Sequence, residues 1–364
     1  MYPTHEELFK TDPKILSEKY KVHLRTIYKW RAKHGDQHGR DVSKFVPDGY
    51  AVKGVSSLVD KAGGIVMQWV KTDQDKVRQF EIMQEAIKSL CESIPQLEPV
   101  SGPSYSIKPL LNLYTISDFH LGMMACAEES GADFDIKIAE ELFNNWFSYA
   151  LKHAPDAHTG IISILGDFLH YDGLKPVTPA HGHVLDADTR YFKMINVAMR
   201  IMRRAIDMCL KKHQVVKIVI SSGNHDLSSS LWLQTALNAM YECEPRVIVD
   251  MSPDVFKMVR HGETMLCFHH GHSVRFDKIE STMIARFRKD FGETKYAYSH
   301  VGHLHHQKII ESSNFVVEQH RTLAAKDAYA ANGGWFSGRS ANIITYHSEY
   351  GEVSRLTISP EIIS

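Results

Sequence analysis

The sequence lacks paired cysteines, long apolar runs and a surplus of either charge. Its five cysteines (Cys91, Cys126, Cys209, Cys243 and Cys267) are odd in number, scattered over 364 residues and never spaced as CxxC. A disulfide framework or zinc ribbon is therefore not expected, and a reducing cytoplasm fits best. No apolar run approaches the ~18 residues of a membrane span, and the polar start Met1-Tyr-Pro-Thr-His-Glu-Glu does not read as a signal peptide. No membrane partner is expected. Lys plus Arg number 42 and Asp plus Glu 43, a net charge of −1, which excludes a uniformly basic nucleic-acid coat and a disordered acidic tail. Internal repeats and low-complexity tracts are absent. What is there is an ordinary globular composition, 43% apolar and 23% charged, long enough for two domains or slightly more at ~150 residues each. The outlier is histidine, with 22 copies, many of them clustered.

Residues 1–40 read as a small helical module. Pro13–Tyr20 and Arg25–His34 have the pattern of short helices joined by Lys21-Val-His-Leu24, with Ile15, Leu16, Tyr20, Val22, Leu24, Ile27 and Trp30 as a candidate mini-core. The stretch holds nine Lys or Arg against five Asp or Glu. A helix, a tight turn and a basic second helix resemble a helix-turn-helix, which makes Arg25, Thr26, Lys29, Arg31 and Lys33 the candidates for touching DNA. A solvated basic helix that docks a partner is the other reading. Residues 41–108 hold a predicted hairpin, Tyr50–Val55 and Ile65–Val70 around Lys61-Ala-Gly-Gly64, then an amphipathic helix over Asp73–Ile94, then a Pro- and Ser-rich linker from Pro95 to Pro109. From 109 to 364 short apolar strands alternate with amphipathic helices. Strands are predicted at Leu110–Ile116, Ile161–Leu165, Val215–Ser221, Met265–His269, Tyr298–Val301, Phe315–Glu318, Asn342–Tyr346 and Val353–Ile358. Helices are predicted near 136–152, 188–212, 230–242 and 276–290. That is an α/β layered domain.

Each of the first five strands of this domain ends in metal-competent residues: Ser117-Asp118-Phe119-His120, Gly166-Asp167-Phe168-Leu169-His170, Gly223-Asn224-His225-Asp226, His269-His270-Gly271-His272 and Gly302-His303-Leu304-His305-His306. Ligands of open α/β sheets bind beyond the carboxyl ends of the strands, so five such clusters can converge. On extended backbone Asp118 and His120 would point the same way and chelate one ion, as would His303 and His305. Carboxylates with imidazoles suit Mn²⁺, Fe²⁺ or Zn²⁺, and the donors exceed what one tetrahedral ion needs.

The series DxH, GD, GNHD, HGH and GHxH, in this order over roughly residues 110–364, resembles the calcineurin-like metallophosphoesterases. The resemblance implies a layered sandwich of two mixed sheets flanked by helices, and two divalent ions, most simply Mn²⁺ with Fe or Zn as alternatives. It assigns one ion to Asp118, His120, Asp167 and His305 and the other to Asp167, Asn224, His270 and His303. It makes His225 the catalytic histidine that stabilises the transition state and protonates the leaving alkoxide. His269 and His272 are then expected to pack or support, and His306 to lie at the surface.

The second motif, GDFLH, is similar to that of double-strand-break repair exonucleases and of phage-encoded relatives with an amino-terminal helical module. This places His170 in the active site and makes a DNA phosphodiesterase, exo- or endonucleolytic, the expected activity. A small-substrate phosphodiesterase or phosphatase acting on cyclic nucleotides or nucleotides is the alternative, and a DNA-binding regulator on a retired scaffold a third. The insertion Asp172–Arg190, with His181, His183 and Arg190, is a functional loop or a solvated one. DNA is the expected partner. A homo-oligomer is possible if helices near 77–91 or 188–212 bury a partner's face rather than the chain's own core.

Overall fold

In the computed structural model the described residues are 3–34, 50–59, 65–74, 99–179, 182–327, 330–331, 333–334 and 336–363. The chain divides into two units, Met1–Leu90 and Cys91–Ser364.

The first unit opens with three helices, α1 (His5–Lys10), α2 (Pro13–Lys19) and α3 (Leu24–His34). Leu8, Leu16 and Ile27, one from each, are buried together, with Tyr20, Val22 and Trp30 packed around them. The first helix was not expected. Its signal is the capping box Thr4-His-Glu-Glu7, in which the Glu7 amide donates to Thr4 Oγ1 at 3.3 Å. Asp12 caps α2 ahead of Pro13, accepting from the Lys14 amide at 2.7 Å. The structure corrects one DNA-contact assignment. Arg31 is buried, and its guanidinium donates to the Leu8 and Thr11 carbonyls at 2.6 Å each, closing the carboxyl end of α1. Arg25 and Lys29 are exposed on α3 and Thr26 is half-buried, while the Lys33 side chain lies outside the described residues.

Strands β1 (Tyr50–Val59) and β2 (Ile65–Gln74) pair antiparallel, with a bulge between Val52 and Gly54. The turn at Lys61–Gly64 and most of the helix expected over Asp73–Ile94 fall outside the described residues. Asp73 and Gln74 belong to β2, not to that helix.

The second unit is a two-sheet α/β sandwich. Its elements are β3 (Ile107–Ile116), α4 (Ile136–His153), β4 (Ala157–Ile164), α5 (Tyr191–Lys212), β5 (Val215–Ile220), α6 (Leu227–Met240), β6 (Val247–Val249), β7 (Lys257–His261), β8 (Thr264–His269), α7 (Ile279–Arg286), β9 (Tyr296–Val301), β10 (Lys308–Ser312), β11 (Phe315–Gln319), β12 (Ala341–His347) and β13 (Gly351–Ile358). One sheet runs β13-β12-β3-β4-β5-β6 and the other β10-β11-β9-β8-β7. Both are mixed: β3 to β6 are mutually parallel, as are β11, β9 and β8, with antiparallel pairs toward the edges.

Strand periodicity sorts the core. Leu113, Ile161, Leu165, Leu266, Phe268, Ile344 and Tyr346, contributed by both sheets, form one buried cluster. The alternate residues Met265, Cys267, Val301 and Phe315 turn the other way to meet Ile279 and Met283 of α7. On the far side of the first sheet, Tyr114 packs against Trp146 and Phe147 of α4. Helix α5 buries Met194, Val197, Ile201, Ala205 and Ile206, so its apolar face serves the chain's own core. The single helix expected over 276–290 is broken. A 3₁₀ turn at Phe276–Lys278 leads into α7, and Phe287, at φ −115° and ψ 42°, interrupts the run.

Candidate metal centre

Parallel strands β3, β4 and β5 of one sheet and β8 and β9 of the other all deliver their carboxyl ends to one place. The expected donors meet there in two groups. Asp118, His120 and His305 form one, Asp167, His270 and His303 the other, with the ligand atoms of each group within 4.8 Å of one another. In the first, His120 Nε2 and His305 Nε2 are 3.3 Å apart, and Asp118 Oδ1 is 3.3 Å from His305 Nε2. In the second, His270 Nε2 lies 3.1 Å from Asp167 Oδ2 and 3.1 Å from Asn224 Oδ1. The two groups adjoin, since Asp118 Oδ1 is also 4.0 Å from His270 Nε2. His270 Nε2 and His305 Nε2 face carboxylates, and His270 Nδ1 is engaged elsewhere, 2.7 Å from the Leu165 carbonyl. This donor set fits two borderline divalent cations.

The backbone conformation differs from the extended one expected. Asp118 (φ 50°), His120 (φ 47°), Asp167 (φ 48°), His303 (φ 79°) and His305 (φ 53°) all occupy the left-handed region. That region costs non-glycine residues of the order of 1–3 kcal/mol each and survives only where packing over-determines it. Here the intervening residues do so. Phe119 and Phe168 are buried and stacked at 5.8 Å between centroids, with Phe143 against both. Glycine is needed where loops touch: a Cβ at Gly223 would overlap the carboxylate and amide of Asp167, and one at Gly302 would meet Ser117 Oγ and Asp118.

Supporting groups hold the donors. Thr322 Oγ1 donates to the Asp118 carbonyl at 2.6 Å, the His303 amide donates to the Asp118 carboxylate at 2.9–3.0 Å, and Ser117 Oγ donates to the same carboxylate. Asp226, left unassigned from sequence, is a clamp. Fully buried, it accepts from the amides of Asp167, Phe168, Leu169 and Gly223 at 2.8–3.2 Å, tying the second and third loops together. Its signal was in view as the last letter of GNHD. Against the pull of burial, the Asp167 and Asp118 carboxylates push His270 up to about 10, and Asp118 raises His305 in the same way.

His225 is half-buried at the edge of the first group, its ring 4.8 Å from that of His120. Its amide donates to Asp167 Oδ1 at 2.7 Å, and its Nδ1 lies 2.8 Å from the His170 carbonyl. That bond fixes Nδ1 as the donor, and among the described residues Nε2 makes no hydrogen bond. His170 is grouped with His120 and His225, their ligand atoms within 4.8 Å of one another, and is 1% exposed, with Nδ1 3.3 Å from Nδ1 of His120. Burial pushes it down to about 3, a neutral ring. His269 packs on Phe256 at 4.7 Å and accepts from the Gly271 amide, and His306 is exposed.

The insertion after the second motif folds back onto the first: the Met124 amide donates to the Asp186 carbonyl and the Asp188 amide to that of Gly122. Asp172 accepts from the Ser228 and Ser229 amides at 2.7 and 2.8 Å, capping α6 directly after the third motif. His183 and Arg190 are exposed, and His181 lies outside the described residues.

The chain is similar to several solved structures. A predicted phosphoesterase from Streptococcus pneumoniae TIGR4 is 10% identical over 69% of this chain and 91% of its own, with a TM-score of 0.32. Vps29 from Entamoeba histolytica, solved with Zn²⁺, is 11% identical over 68% and 99%, with a TM-score of 0.30. An archaeal phosphodiesterase is 13% identical over 68% and 99%, with a TM-score of 0.36. No protein-family model matches the chain, and no curated protein does. The chemistry assigned to the site rests on its own side chains.

Proposed function

We propose that the chain is a metal-dependent phosphodiesterase of the calcineurin-like metallophosphoesterase type, acting on nucleic acid as a DNA nuclease. The observation that carries this is the pair of adjoining carboxylate–imidazole groups with the unengaged Nε2 of His225 at their edge. Divalent ions bound there would polarise phosphoryl oxygens and lower the pKa of water. Asp118, His120 and His305 would hold one such ion, and Asp167, Asn224, His270 and His303 the other. His225, anchored through Nδ1–H on the His170 carbonyl, would in its doubly protonated form present Nε2–H to the phosphoryl oxygens and pass that proton to the leaving alkoxide, ending as the neutral ring. His170 keeps His120 in the orientation that turns Nε2 inward. Exposed Arg25 and Lys29 on α3, one helical turn apart, supply a cationic face for DNA phosphates.

The test is incubation of the full chain and Mn²⁺ with end-labelled single- and double-stranded DNA, beside chelator and His225→Ala lanes. Cleavage that disappears in both control lanes supports the reading. Turnover of a chromogenic small diester with DNA left intact overturns the nuclease part and favours a small substrate.

A further inference from the structure

A cavity of about 380 Å³ adjoins the second donor group, and no step above uses it. The turns after β8 and β9 form one side of it, so His303 of the metal centre is also part of the cavity wall. Val274, Phe276 and Leu304 give it apolar faces, one of them aromatic, and Ser273 and Gln319 give it hydrogen-bonding groups. Lys308 Nζ lies 4.6 Å from the centroid of the Phe276 ring and adds a positive charge beside that wall.

His272 stands at the junction of cavity and centre. Its ring is 5.3 Å from that of His270 and 6.3 Å from that of His303. His225 lies instead against His120, so the two non-ligand imidazoles flank opposite donor groups. Among the described residues, His272 Nδ1 is buried with no hydrogen-bond partner. Native structures seldom leave such an atom unmatched unless a ligand or water meets it.

Resting on the phosphodiesterase reading, we propose that this cavity receives the nucleoside on one side of the scissile phosphate. The cavity falls in the lower part of the size range of small-molecule sites, which suits one nucleoside and excludes a stacked base pair. An aromatic ring with aliphatic neighbours suits the face of a base. The Ser273 hydroxyl and the Gln319 side-chain amide at the wall suit its polar edge and the sugar. A base seated there has left its stack, so the substrate is a single strand or a frayed end.

The experiment compares two diesters sharing a p-nitrophenolate leaving group, thymidine 5′-(p-nitrophenyl phosphate) and methyl p-nitrophenyl phosphate, on the Mn²⁺-loaded full chain. The nucleoside ester is expected to be favoured by about ten- to hundredfold in kcat/KM, chiefly through KM, matching the usual worth of one base–aromatic stack. Val274→Trp, which fills the cavity, is expected to bring that ratio to about one. Independently of turnover, thymidine observed by saturation-transfer NMR is expected to bind the metal-free chain and to lose binding in Val274→Trp and in Phe276→Ala, a truncation that cannot overfill the site. Equal kcat/KM for the two esters with no transfer to thymidine overturns the inference and leaves the phosphodiesterase reading standing. Turnover of neither ester overturns that reading, and the thymidine measurement then decides the cavity alone.

Discussion

His225 and His170 are near neighbours, 5.7 Å between ring centroids, yet their surroundings give them different work. His225 has one nitrogen anchored and one unengaged at the rim of the centre. Replacing it with Ala should leave bound metal unchanged and lower kcat by about 10²–10⁴. His170 packs its ring against His120, so His170→Ala, which keeps the backbone carbonyl that anchors His225, should weaken metal affinity about 10- to 100-fold, with kcat recovering at saturating metal. Metal titration by calorimetry beside kcat at high metal separates the two patterns. Loss of metal in His225→Ala would make that residue a ligand. Undiminished affinity in His170→Ala would remove its positioning role. Residue types at the strand ends announced both histidines. The direction each ring takes was not legible, because it follows from packing around left-handed backbone that spacing does not reveal.

At the scale of elements, the strands that carry donors were readable as short apolar runs, since strands buried on both faces are almost uniformly apolar. Edge strands β6, β7 and β10 were not. Lys257–His261 and Lys308–Ser312 mix charge with apolar residues, as edges that must resist further pairing do, and only a neighbouring strand selects them. Helix α1 is six residues long, too short to show a period, and only its cap marks it. Arg31 shows the same limit from the other side: on a basic helix it read as a DNA contact, whereas two backbone carbonyls of a preceding turn engage it. Arg31→Ala should therefore destabilise the three-helix segment, read as lost helical signal and faster proteolysis within residues 1–34. Lys29→Ala should leave folding intact and lower the salt slope of DNA binding by about one. A stable Arg31→Ala that loses only DNA affinity would reverse this assignment.

For the molecule as a whole, protonation couples to folding and to metal uptake with opposite starting points. His213 is fully buried between the Tyr114 hydroxyl (2.8 Å) and the Ala157 carbonyl (2.7 Å), and burial pushes it down to about 4. Unfolded, it titrates at about 6.5. Between those values the unfolded chain binds the extra proton, so stability falls as pH drops through that window. This group should contribute a loss of about 2 kcal/mol between pH 7 and pH 5. Urea unfolding at both pH values should show that part of the loss vanish in His213→Gln. His270 starts from the other side, held protonated at neutral pH by Asp167 and Asp118. Metal uptake must displace that proton, so affinity should fall as pH falls, and calorimetry in buffers of different ionisation enthalpy should register proton release. Residue types at the strand ends named the candidate donors and the family resemblance sorted them, because residue identity fixes which atoms can bind a metal and strand-end position fixes roughly where they lie. Only the tertiary structure decided that Asp226 clamps two of their loops, that His170 packs against His120 and anchors His225 through its carbonyl, and that a cavity opens beside His303. Those are matters of side-chain direction and of surfaces brought together from distant parts of the chain, and a linear order of residues carries neither.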